Sequence, residues 1–230
     1  ERDDPNFKHL DGYLWSVHSG GFYRIEKLKG PPSKLPKVLH WFKWEAYATW
    51  ISGFVLLVLV YYLNASSMML GSGTIKLSPL GSIVISILLL IGSWLLYDFI
   101  CKNSSEHSQQ TLIIIGFLIF VMISYLLTKI YGSRTAYMHV GAIIGTLMAA
   151  NVFRVIIPAQ KNLVNAAENN RQPNLNLSIE AKNRSIHNNY FTLPVLFIMI
   201  SSHFSFTYGA AYNWLILIII SLAGILTRHY

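Results

Sequence analysis

From Trp44 onward the chain consists of six apolar segments joined by shorter polar stretches, and this pattern restricts the possible folds most. The segments are 44–63, 79–100, 110–130, 135–157, 189–206 and 210–227. The length of each segment is close to that of a helix that crosses a bilayer, about 20 residues. Lipid offers no hydrogen-bond partners, and the alternation typical of barrel strands is absent, so helices are expected. The sequence predicts an all-α, polytopic transmembrane helix bundle with about six spans.

The basic residues are divided unevenly between the two sides of such a bundle. Lys and Arg number 15 on the side of the N-terminal segment, counting Arg154, and 3 on the other. The positive-inside rule then makes residues 1–43 a cytoplasmic segment and 44–230 the multi-pass domain in membrane lipid. The net charge of +8 is explained by topology, so no nucleic-acid partner is expected. The single cysteine, Cys101, excludes an internal disulfide and a C-x-x-C-H haem attachment.

Two histidines lie at similar predicted depth in different helices. His139 is one turn below the outer surface in the fourth span, and His203 is about one turn from that surface in the fifth. Two imidazoles facing each other are what axial ligation of a b-type haem requires. Alternatively, each histidine hydrogen-bonds a neighbouring helix. In the same fourth span, Gly141 and Gly145 form a G-x-x-x-G pattern that favours close helix packing.

A second group of polar residues lies at the predicted inner level: His18, His40, Asp98, Asn151, Arg154, Gln160, His187 and Asn188. Asn151 and Arg154 are three residues apart and share a helix face, in a helix predicted to end at Pro158. The permanent charge of Arg154 requires an anion. Asp98 is one candidate partner, and a haem propionate or an anionic substrate is the alternative.

Five stretches of the sequence are more specific than these patterns: 18–27, 39–47 (Leu-His-Trp-Phe-Lys-Trp-Glu-Ala-Tyr), 139–146, 151–158 and 187–194. Together they resemble the urate oxidase N-terminal family, the membrane-bound urate hydroxylases of bacteria. The resemblance implies a multi-pass protein of the bacterial inner membrane, active in purine catabolism. Its implied reaction is oxidation of urate to 5-hydroxyisourate, with electrons passed to a periplasmic cytochrome c.

If urate is the substrate, the chemistry and predicted depth of the polar residues suggest a role for each. Arg154, Asn151, Gln160 and Asn188 would bind the small anionic substrate, His40 or His187 would accept a proton, and His139 and His203 would ligate haem b. Family members often carry a cytochrome c domain, and they have a further helix before this region. Both are absent here, so we expect a fragment or a chain that uses a separate cytochrome c.

Two other functions remain open from the sequence. The first is a haem b electron-transfer subunit that has no substrate of its own. The second is a transporter of a purine-like anion, which would use Arg154 and the asparagines without haem. Against the transporter, the sequence lacks a pair of Gly- or Pro-interrupted helices in corresponding halves.

Overall fold

The computed structural model describes residues 9–30, 32, 35–71, 75, 77–103 and 109–229. The chain divides into two units. The first comprises Glu1–Trp41 and Lys161–Asn174, and the second comprises Phe42–Gln160 and Leu175–Tyr230. His107, expected to lie in a solvated loop, falls outside the described residues.

The first unit contains an antiparallel hairpin of β1 (Leu10–His18) and β2 (Gly21–Leu28). His18 pairs with Gly21 across a two-residue turn, in which Ser19 and Gly20 have φ values of 49° and 78°. Positive φ at both turn positions is typical of the type I′ turn, which matches the twist of the flanking strands. The all-α prediction is therefore wrong for this segment. Its many aromatic and β-branched residues favour strands.

The helices are α1 (Lys43–Leu57), α2 (Ala65–Met68), α3 (Pro79–Asn103), α4 (Gln109–Ile130), α5 (Ser133–Asn151), α6 (Ile157–Glu168), α7 (Leu175–Ser201), α8 (Ser205–Tyr208) and α9 (Asn213–His229). π-Helical turns at Val58–Tyr62 and Val152–Ile156 extend α1 and α5. Every predicted span overlaps a helix, although the fifth, 189–206, extends past the end of α7. The predicted loop 158–188 is mostly helical instead, because α6 continues to Glu168 and α7 begins at Leu175.

Four helical stretches of the described chain are long and apolar enough to cross a membrane: Lys43–Tyr62, Pro79–Asn103, Thr111–Ile130 and Ser133–Glu168. Helix α9 is apolar but shorter. A helical bundle with membrane-length helices is thus confirmed. The count of six spans and the cytoplasmic N-terminus stay predictions.

Helix α3 shows the burial pattern of a helix that faces lipid. Its small or polar residues Ser82, Ser86 and Asp98 are buried, whereas Leu88 and Phe99 are exposed. In water this arrangement would be unfavourable, because apolar side chains gain free energy by leaving solvent. In lipid it is expected, since small and polar residues at helix contacts allow close approach and hydrogen bonding.

Helix α5 packs against α1, α3, α4 and α7, and α7 also packs against α9. Gly141 is required at the contact between α5 and α7, because a Cβ atom there would lie 2.5 Å from Ile198 Cγ2. A Cβ atom on Gly145 would meet nothing within 4 Å. Only the first glycine of the predicted G-x-x-x-G therefore makes the close contact.

The sequence predicted that the helix of the fourth span ends at Pro158. In the structure the helix continues past this proline. The π-helical turn Val152–Ile156 precedes this proline, and helix α6 then continues through it. Proline lacks an N–H group, and its ring clashes with the carbonyl of the preceding turn in a regular α-helix. A wider turn directly before Pro158 relieves that conflict. The turn also begins next to Asn151, a residue of the candidate site.

Candidate functional site

A polar cluster with two buried and three half-buried members lies where α3, α5 and α7 meet, all within the second unit. Its members are Tyr97 of α3, Asn151 at the end of α5, and Arg184, His187 and Asn188 of α7. The three residues of α7 follow the spacing i, i+3 and i+4, so they occupy one face of the helix. We refer to these five residues as the polar cluster.

Hydrogen bonds connect four members of the polar cluster. The Tyr97 hydroxyl lies 2.7 Å from Nδ1 of His187 and accepts a hydrogen bond from Nδ2 of Asn151 at 3.1 Å. Asn151 Nδ2 also donates to Oδ1 of Asn188 at 3.0 Å. Nδ2 of Asn188 donates to the backbone carbonyl of Met148 at 3.0 Å. The network thus runs from the backbone of α5 to the imidazole of α7.

Arg184 joins the polar cluster to a buried ion pair. Its Nη2 donates to Oδ1 of Asp98 at 2.7 Å and lies 3.5 Å from Oε1 of Glu180. Lys102 holds the second oxygen of Asp98 at 2.8 Å. The guanidinium lies over the ring of Tyr97, 4.8 Å from its centroid. A cation over an aromatic face is attracted by the ring quadrupole, so the contact adds to the ion pair.

Two polar atoms of the polar cluster are buried and have no hydrogen-bond partner among the described residues. They are Nη1 of Arg184 and Oδ1 of Asn151, one a donor and the other an acceptor. Leaving such groups unpaired costs about 1–3 kcal/mol each, more for a charged group. A planar ligand that offers an acceptor and a donor would remove this cost.

The surroundings of His187 disfavour the protonated form of its imidazole. Burial lowers the pKa of His187, and the nearby positive charge of Arg184 lowers it further. A neutral imidazole has one donor and one acceptor nitrogen. His187 is therefore equipped to exchange a proton or a hydrogen bond with a bound molecule.

The structure brings together three of the predicted site residues, namely Asn151, His187 and Asn188. Arg154 is exposed, and its guanidinium lies 5.8 Å from the ring centroid of Trp94. Asp98, one of the two alternatives for the anion beside Arg154, is held by Arg184 and Lys102 instead. That alternative failed because spacing along the chain does not reveal how two helices are rotated toward each other.

Two further predicted residues are not among those whose hydrogen bonds define the polar cluster. Gln160 is exposed on α6, and His40 is exposed in the first unit. Their proposed roles in substrate binding and proton transfer stay predictions.

His139 lies in a separate buried environment on α5. Its ring stacks on Tyr131 with centroids 4.7 Å apart, and Nδ1 bonds the carbonyl of Thr135 at 2.8 Å. Nε2 is buried and has no partner in the described part of the chain, which fits a metal-ligating role. His203 is exposed in the turn after α7. No group of three or more His, Cys, Asp or Glu residues suited to a metal ion occurs among the residues described.

The sequence reading missed Tyr97 and Arg184. Arg184 was counted only as a loop charge, because residues 158–188 were taken as a loop. Its position three residues before His187 and four before Asn188 was the available signal. Tyr97 precedes Asp98 directly, but only the packing of α3 against α5 identifies it as part of the site.

These features define a mainly helical protein with membrane-length helices and a buried polar site at a helix junction. The model of the family described as urate oxidase N-terminal matches residues 1–230, the whole chain. The chain therefore belongs to this family, as its sequence predicted, and a urate-related function follows in broad terms. No curated protein and no solved structure matches the chain.

Proposed function

We propose that the protein is a membrane redox enzyme that oxidises urate to 5-hydroxyisourate at the polar cluster and passes the electrons to a cytochrome c. Family membership supports urate as the substrate. The observation that supports this location is the pair of buried, unpartnered atoms, Arg184 Nη1 and Asn151 Oδ1.

The chemistry of urate suits these groups. Urate is a planar monoanion whose rings carry carbonyl oxygens and N–H groups. A guanidinium N–H stabilises an anionic oxygen through a charge-assisted hydrogen bond. The amide oxygen of Asn151 accepts from a ring N–H. Arg184 therefore takes the anion-binding role that the sequence had assigned to Arg154.

The overall reaction fixes what else the protein needs. Urate and one water give 5-hydroxyisourate, two protons and two electrons. The new C–O bond takes its oxygen from water, and the electrons require an acceptor. His139 and His203 would hold haem b, which would supply one-electron transfer. The buried, unpartnered Nε2 of His139 supports this assignment for one of the two ligands.

An optical titration of the purified protein tests the proposal. We expect a b-type spectrum that changes on dithionite reduction, and the same change when urate is added without oxygen. His139→Ala should abolish the spectrum. His9 is an exposed histidine of the first unit, and His9→Ala should leave the spectrum unchanged.

Three outcomes would overturn the proposal. A colourless protein rules out the haem-based redox reaction. Haem that urate does not reduce indicates an electron-transfer subunit without a substrate of its own. Uptake of radiolabelled urate into proteoliposomes by a colourless protein indicates a transporter.

A further inference from the structure

We infer that the polar cluster fixes His187 as the tautomer protonated on Nε2, so that His187 donates a hydrogen bond to the substrate and is not its resting base. This inference rests on the proposed function for the identity of the substrate. The tautomer itself follows from the hydrogen bonds of the described residues alone.

The direction of the hydrogen bonds is fixed at the backbone. The carbonyl of Met148 only accepts, so Asn188 must turn its Nδ2 toward it, at 3.0 Å. Oδ1 of Asn188 then faces Asn151 as an acceptor, and Asn151 must present an N–H to it, at 3.0 Å. A backbone carbonyl of α5 thus determines the amide orientation of two side chains.

The same orientation determines the role of the Tyr97 hydroxyl. The second N–H of Asn151 donates to the oxygen of Tyr97 at 3.1 Å. The single hydrogen of that hydroxyl is then directed to Nδ1 of His187, 2.7 Å away. Nδ1 is therefore the acceptor nitrogen. In a neutral imidazole the proton must then reside on Nε2.

This assignment also explains why Asn151 Oδ1 is the atom left over. Both N–H groups of Asn151 are used, and its buried oxygen has no partner in the described chain. The site hence offers donors at Arg184 Nη1 and His187 Nε2 and an acceptor at Asn151 Oδ1. The matching ligand class is a planar anionic lactam, with carbonyl oxygens for the donors and a ring N–H for the acceptor.

The assignment makes Asn151, Asn188 and Tyr97 positioning residues for His187. It changes the role predicted for His187 from the sequence, where this residue was a candidate proton acceptor. A base at Nε2 would need that nitrogen free of its proton, which the bond from Tyr97 to Nδ1 opposes.

Nitrogen NMR of the protein labelled with ¹⁵N-histidine tests the tautomer directly, at a pH where the ring is neutral. His187→Asn identifies the His187 signals among those of the 8 histidines. In the unmodified protein we expect an unprotonated Nδ1 and a protonated Nε2. A protonated Nδ1, or both nitrogens protonated, would overturn the inference.

Asn151→Asp provides a reversal experiment with an isosteric side chain. A carboxylate only accepts, so the Tyr97 hydroxyl should turn toward it and then accept from Nδ1–H of His187. The tautomer should therefore switch, and retention of the original tautomer contradicts the proposed relay. Asn189→Asp is the matched control, because Asn189 is exposed and bonds Arg228 instead. Its spectrum should match that of the unmodified protein.

Tyr97→Phe covers the case in which Asn151→Asp does not fold. Without the hydroxyl, Nδ1 of His187 loses its donor, and we expect a mixture of both tautomers. A single unchanged tautomer in this variant would also contradict the relay. None of these spectra requires urate. A failed urate titration with the expected tautomer thus refutes the proposed function alone, and the wrong tautomer with active urate oxidation refutes this inference alone.

Discussion

The ion pair between Asp98 and Arg184 should respond very differently to loss of its acid and loss of its base. The side chain of Arg184 is only 1% exposed and that of Asp98 11% exposed. Asp98 has a second partner, Lys102, whose side chain is 60% exposed and therefore close to solvent. Beyond Asp98, Arg184 has only the longer 3.5 Å contact to Glu180 among its described ion pairs. The guanidinium is thus the member that depends most on the pair.

The structure sets the expected magnitudes. Asp98→Leu leaves a buried guanidinium without its main partner, and breaking a buried pair in this way costs about 3–5 kcal/mol. Arg184→Met removes the buried charge itself and leaves Asp98 with Lys102. Its cost should be about 1–3 kcal/mol, as for one unsatisfied buried acceptor. The double variant replaces the pair by apolar side chains, so its free energy of unfolding should exceed that of Asp98→Leu by about 2 kcal/mol or more.

Unfolding by SDS in mixed detergent micelles, followed by tryptophan fluorescence, measures these free energies. Lys102→Ala is the control and should change the free energy of unfolding by at most about 1 kcal/mol, as for an exposed pair. Equal costs for the two single variants would refute the claim that Arg184 is the dependent member. Additive costs in the double variant would refute the claim that Asp98 and Arg184 interact directly.

Two other predictions concern the packing of the bundle. Gly141→Ala should lower the free energy of unfolding by about 1–3 kcal/mol through the clash with Ile198. Gly145→Ala adds a methyl group in open space and should be neutral or slightly stabilising. Equal effects of the two variants in the same SDS assay would contradict the prediction. The Tyr137 hydroxyl donates a hydrogen bond to the backbone carbonyl of Asn213 at 2.6 Å. Tyr137→Phe should therefore lower the free energy of unfolding by about 1–3 kcal/mol. An unchanged midpoint of SDS unfolding would show that this buried hydrogen bond does not stabilise the fold.

The helices could be predicted from the sequence where a long apolar run was the signal. The first four predicted spans coincide with the four helical stretches of membrane length. The start of α7 was placed at Asn189, although the helix begins at Leu175. Residues 175–188 are polar and rich in asparagine, so hydropathy gave no sign of a helix there. The hairpin was missed for a related reason, because residues 1–43 contain no long apolar run.

The candidate site was predicted in part. Asn151, His187 and Asn188 were selected because the sequence placed them at the predicted inner level together with Arg154. The partner of Asp98 could not be selected in this way. The sequence placed Arg154 at the same predicted level as Asp98, and only the relative rotation of α3, α5 and α7 shows that Arg184 is the partner instead. That rotation is set by contacts such as Gly141 against Ile198, which a single sequence does not reveal.

Arg184 connects the stability of the bundle with the proposed chemistry. One of its terminal nitrogens, Nη2, is used to hold Asp98, and the other, Nη1, is buried and has no partner among the described residues. Because the guanidinium is planar and rigid, fixing Nη2 also fixes the direction of Nη1. An apolar contact between α3 and α7 would stabilise the fold at least as well as a buried ion pair. The ion pair is therefore better explained by the donor that it positions beside Tyr97 than by its contribution to stability.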